Sequence, residues 1–91
     1  MRYQRVKWRH AHAKEPVFLY AEIDDEGWEQ RKVDEYRDGR LDRADHDGGS
    51  GTTLLADQRI ADLAEINSHD EFEAEQISAS EFDDVWRRAG R

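Results

Sequence analysis

Four apolar residues near the C-terminus, Phe82, Val85, Trp86 and Ala89, recur at i, i+3, i+4 and i+7 and so line one face of a helix. Both ends of that helix are signposted. Ser78 stands as N-cap with Glu81 three residues on, a capping box, and Ile77 with Phe82 forms a hydrophobic staple. Gly90 closes the helix. Asp83 with Arg87 and Asp84 with Arg88 are acid-first i,i+4 pairs. A helix of about a dozen residues is marginal alone in water. Its apolar stripe therefore needs a second surface, and the rest of the chain must supply a sheet.

The first half reads as that sheet. Residues 4–10 alternate, with Val6 and Trp8 on one side and Arg5, Lys7 and Arg9 on the other. Pro16 opens a second strand that runs from Val17 to Ile23 and is apolar on both faces. A third strand spans Trp28 to Arg37. Its apolar residues Trp28, Val33 and Tyr36 do not share one phase, so a bulge between Val33 and Tyr36 is expected. Asp38-Gly39 signals a hairpin into a short strand from Leu41 to Asp45. Residues 48–53 read as a flexible glycine-rich connector, followed by a short helix near 63–68 and a possible fifth strand over 72–77. The expectation is a single α+β domain over 1–91. It has an antiparallel meander sheet of four to five strands, four of them within 1–47 and the fifth in a mixed segment over 54–91. The C-terminal amphipathic helix packs on one face.

Charge enters next. Among 91 residues are 22 acids and 14 bases, net −8, against only sixteen Ile, Leu, Val and Phe. That balance borders on disorder. Nine aromatics at periodic positions, and acids placed at caps and turns, move the expectation to a folded chain. Residues 1–14 carry five bases and no acid, so the remainder carries −13. With no cysteine, no membrane-length apolar run and no apolar segment behind the N-terminal charges, a soluble cytoplasmic protein is expected.

The short matches are spread along the chain. Met1-Arg2-Tyr3 with Trp8, Glu15-Pro16-Val17 through Tyr20, and Glu22-Ile23-Asp24-Asp25 come first. Arg31-Lys32-Val33, Asp38-Gly39-Arg40, Glu65-Ile66-Asn67, Glu71-Phe72 through Ile77-Ser78, Glu81-Phe82 and Trp86 complete them. Together they resemble a family of small bacterial proteins catalogued only as a domain of unknown function. The resemblance implies a single-domain α+β protein and brings no activity, cofactor or catalytic residue.

Chemical motifs fail one by one. Gly48 to Thr53 lacks the lysine of a phosphate loop, and Leu54 stands where a dinucleotide fingerprint needs its third glycine. Asp45-His46-Asp47-Gly48 ends on Ala56 where a calcium loop needs a bidentate acid. His10 and His12, with His46 or Asp45, are a metal candidate without a third ligand at fixed spacing. No serine sits in a nucleophile context, so neither catalytic residues nor a cofactor is assigned. Three readings remain. The first is a non-enzymatic module whose acidic surface engages a basic protein, with Trp28, Asp24, Asp25, Glu26, Asp42, Asp45 and Asp47 as the interface. The second is a nucleic-acid binder using Tyr3, Arg5, Lys7 and Arg9, opposed by the net charge or by pairing of these cations with Glu22, Glu29 or Glu35. The third is a small hydrolase. The folded reading itself is testable: thermal unfolding followed by circular dichroism should be cooperative, and a flat melt would return the chain to the disordered class.

Overall fold

A computed structural model describes residues 1–90. Strands β1 (Arg2–Trp8), β2 (Phe18–Ile23), β3 (Glu29–Glu35) and β4 (Leu41–Asp45) precede a two-residue β5 (Gly48–Gly49). Helix α1 (Leu63–Asn67), strand β6 (Phe72–Gln76) and helix α2 (Ala79–Ala89) follow. All six strands form one antiparallel sheet in the order β5-β4-β3-β2-β1-β6. The α+β class is as expected; the strand count is six rather than four to five. The glycine-rich segment read as a connector supplies the extra strand. Gly49 lies so close to the Thr53 carbonyl that a Cβ there would stand 2.2 Å from it.

The chain then crosses the whole sheet. Residues 54–71 run from the β5 edge to the opposite edge, where β6 pairs with β1. The crossover covers one face and α2 covers the other. The bulge lies at Glu22 and Ile23, where the pairing steps from Arg31 to Glu29, and not between Val33 and Tyr36. Glu29 and Ile23 thereby share a face, and Val33 stays in phase with Tyr20.

The α2 face holds the aromatics. Phe82, Val85 and Val33 are fully buried, with Ile77 and Ala89 beside them, and Tyr3, Tyr20, Leu41 and Trp86 pack around this cluster. Both caps of α2 form as the sequence implied, the Ser78 capping box included. Gly90 ends the helix without a left-handed turn, at φ −83°. A Cβ there would stand 2.7 Å from the Arg43 guanidinium, the far end of a flexible side chain that would have to shift.

Arg31 ties sheet to helix. It donates two hydrogen bonds to Glu22, at 2.8 and 2.7 Å, and one to Asp83 on α2 at 3.0 Å. Its guanidinium also stacks over Phe82 and Trp86, at 4.9 and 5.1 Å. This bidentate contact with Arg31 holds the Glu22 carboxyl below the usual carboxylate range. On the same face Tyr20 donates to Glu35 at 2.8 Å, and its burial together with that bond pushes the phenol up to about 12.

Arg31→Met should leave Glu22 buried without its cation and cost about 2–4 kcal/mol in urea unfolding at neutral pH. The sign with pH follows from the lowered carboxyl. Its stabilisation is present above the unfolded pKa and is lost as pH falls through the folded value. The gap between wild type and variant should therefore narrow in acid, and a gap independent of pH would contradict the pairing.

Candidate functional site

Two acidic turns meet at one end of the sheet. Asp24 Oδ1 accepts the backbone N–H groups of Glu26 and Trp28, both at 2.9 Å, which shapes the β2–β3 turn. Asp24 Oδ2 accepts from Gln30 Nε2 at 3.0 Å, and Gln30 Oε1 accepts from His46 Nε2 at 2.9 Å. That chain links the turn to the β4–β5 turn, where Asp45 Oδ1 accepts the Asp47 N–H. Asp25 is almost fully exposed, 3.3 Å from the N-terminal amine. Trp28 is 38% exposed, and the Arg59 guanidinium lies 5.5 Å from its ring centre. The structure thus brings together Trp28, Asp24, Asp25, Glu26, Asp45 and Asp47. Asp42 is the exception. Strand alternation turns it with Ala44 onto the crossover face, where it is 9% exposed and accepts from Ser50 Oγ.

The basic strand is spoken for. Arg5 pairs with Glu75, and Arg9 with Glu73 at 2.6 Å and with the Asp70 carbonyl. Tyr3 packs on Phe82, ring centres 5.5 Å apart, and only Lys7 of the four stands well exposed without such a contact. The pairing partners are on β6, not Glu22, Glu29 or Glu35. The signal was in the sequence, as the alternation of Glu71, Glu73 and Glu75 mirrors that of Arg5, Lys7 and Arg9. His10 and His12 stack, ring centres 5.4 Å apart, but His46 is not with them and bonds Gln30 instead. His10 Nε2 bonds the Pro16 carbonyl at 2.8 Å and its Nδ1 accepts the His12 N–H, so both ring nitrogens are engaged.

One site escaped the sequence reading altogether. On the crossover face, small residues leave a cleft of about 390 Å³ between the sheet and residues 56–69. Its lining is mostly apolar, with Gln4, Glu29, Lys32, Glu65 and His69 as the polar members. Burial pushes the Glu29 carboxyl up, opposed by the Ala56 N–H it accepts at 2.9 Å. Burial raises Asp34 too, against the Lys32 ammonium and the Thr53 hydroxyl, with Asp42 adding to the rise. Asp34 Oδ1 is buried with no hydrogen bond, 3.7 Å from Lys32 Nζ.

The chain belongs to the family described as Domain of unknown function (DUF6881), whose family model matches residues 2–91. No curated protein and no solved structure matches it. Among the described residues, no helix is long and apolar enough to cross a membrane. Within this family member the buried acids offer a direct check. A raised carboxyl destabilises the charged folded state, so stability attributable to Asp34 should rise as pH falls through its folded pKa. Asp34→Asn should raise the melting temperature at neutral pH and flatten that dependence. A lower melting temperature with the pH profile unchanged would contradict the assignment.

Proposed function

We propose that the protein is a non-enzymatic binding module that engages a basic protein partner through its acidic end. The observation that supports this most is the juxtaposition of the two acidic turns beside Trp28. Among the described residues Glu26, Asp45 and Asp47 make no ion pair, so their field is available to a partner. Carboxylates in that position steer a cationic surface and speed its association in a salt-dependent way. Trp28 with Arg59 supplies the kind of flat, partly desolvated anchor on which interface energy concentrates. The alternative, nucleic-acid binding by the N-terminal strand, has less to draw on, since Arg5 and Arg9 neutralise acids of their own chain.

The test is capture of basic proteins on the immobilised chain at low salt, followed by a salt gradient. A bound basic protein should elute with salt. Trp28→Ala should weaken its capture by about tenfold or more, the effect of removing one interface anchor. Charge reversal at Asp25, Glu26 and Asp47 should abolish capture. Retention that ignores both salt and these substitutions would overturn the reading, as would a mobility shift of nucleic-acid probes that Arg5→Ala and Lys7→Ala remove.

A further inference from the structure

The crossover segment is pinned to the sheet by polar contacts more than by packing. Thr53 Oγ1 donates to Asp34 at 3.0 Å, Ala56 N–H to Glu29, Ile60 N–H to the Gly27 carbonyl at 2.8 Å, and Asn67 clamps both backbone groups of Ala74. Helix α1 buries no residue completely. Between these pins the cleft stays open. Val6, Leu19 and Ala21 form its floor, and Ala61, Ile66 and Phe72 line it from the opposite side and one end.

We propose that this cleft is a binding site for a small organic cation, a primary amine carried on an apolar body. This goes beyond the acidic end, from which the cleft is a separate surface. The volume falls in the range of small-ligand pockets, and the lining would bury hydrocarbon. The sign of the head group follows from charge. Glu29 and Glu65 line the cleft, Asp34 and Asp42 lie buried on the same face outside it, and Lys32, which lines it too, is drawn to Asp34 at 3.7 Å. The covering segment 57–71, Glu65 included, carries five acids against Arg59 alone. An anion would enter a field that repels it, whereas a cation neutralises excess charge in poorly solvated surroundings.

The hydrogen bonds fit an ammonium as well. Gln4 is 4% exposed, and its Oε1 has no partner. Turning the amide about its last bond would present Oε1 to a donor in the cleft while the NH2 takes its buried place. In the register, Gln4 lies beside Ala21 and Ala21 beside Lys32, so the small Ala21 separates the Gln4 amide from the charged groups of β3. With strands about 4.8 Å apart, a head group over Ala21 has Gln4 on one side and Lys32 on the other, with Glu29 diagonal to it opposite Ile23; Lys32 turns its ammonium to Asp34, 3.7 Å away, which leaves Glu29 as the acid within side-chain reach. An ammonium has three N–H donors for such a seat, where an alcohol has one.

The test uses three probes with one body and different heads: hexylammonium, hexanol and hexanoate. Each is titrated into the whole protein while backbone amide shifts are followed by NMR. Hexylammonium should move Ala21, Ala61 and Ile66 and bind about tenfold or more tightly than hexanol, with hexanoate weakest. Ala61→Phe, a half-exposed position remote from α2, should fill the cleft and abolish the shifts while leaving the melting temperature near wild type. Gln4→Leu should reduce the preference for hexylammonium over hexanol, which keeps the idea testable if Ala61→Phe misfolds. Hexanoate binding as well as hexylammonium would overturn the proposal. So would shifts confined to the Trp28 end, unchanged binding in Ala61→Phe, or no binding by any probe. Because the acidic end is intact in both variants, capture of a basic protein should persist in them, so the two readings can fail separately.

Discussion

The seat of Phe82 on the sheet is the contact on which the rest depends. Its ring is fully buried against Val33 and Tyr3, with Arg31 stacked on it and Trp86 6.3 Å away on the next turn. Burial of one such side chain is worth roughly 1.5–3 kcal/mol, a large fraction of what a chain this size can muster. Among the described residues no comparable cluster lies on the other face, where Ile23 and Val6 are buried but Ala21, Ala44 and Ala74 present little side chain. The fold is therefore lopsided. One face carries the dense core, and the other is covered by a segment held through hydrogen bonds.

That asymmetry places both candidate surfaces. The sheet edges are partly closed by side chains that imitate a neighbouring strand. Asn67 meets the Ala74 N–H and carbonyl at 2.6 and 2.9 Å, and Ser50 accepts the Arg43 N–H of β4 at its Oγ while its own backbone N–H donates to the Arg43 carbonyl. Such sealing discourages pairing with another chain along the sheet. What stays open is the acidic end, where turns project beyond the sheet, and the cleft, where alanines leave room under the crossover.

Local signals in the sequence carried far, and non-local ones did not. The capping box at Ser78, the stripe from Phe82 to Ala89 and the Asp38-Gly39 turn depend on residues a few positions apart, and all three form. Asp62 caps α1 in the same local fashion. The pairing of β6 with β1 joins residues some 70 positions apart, so the matching alternation of Glu71, Glu73 and Glu75 gains meaning only once the two strands are brought together. Asp42 shows the same limit from the side of function. Whether an acid faces solvent or Ser50 depends on the bulge and on where residues 48–53 fold back, neither of which the spacing of charges encodes. The cleft was invisible for a related reason: it is a space enclosed by residues of β1, β2, β3, the crossover and β6.

Native-state hydrogen exchange measures this lopsidedness directly. Amides of α2 and of the central strands β1 to β3 should exchange only through global unfolding, while those of Ile66 and Ser68 in the crossover should exchange through local opening, orders of magnitude faster. Protection of Ile66 and Ser68 equal to that of Phe82 and Val33 would contradict the account, since it would mean that both faces of the sheet are held by cores of equal strength.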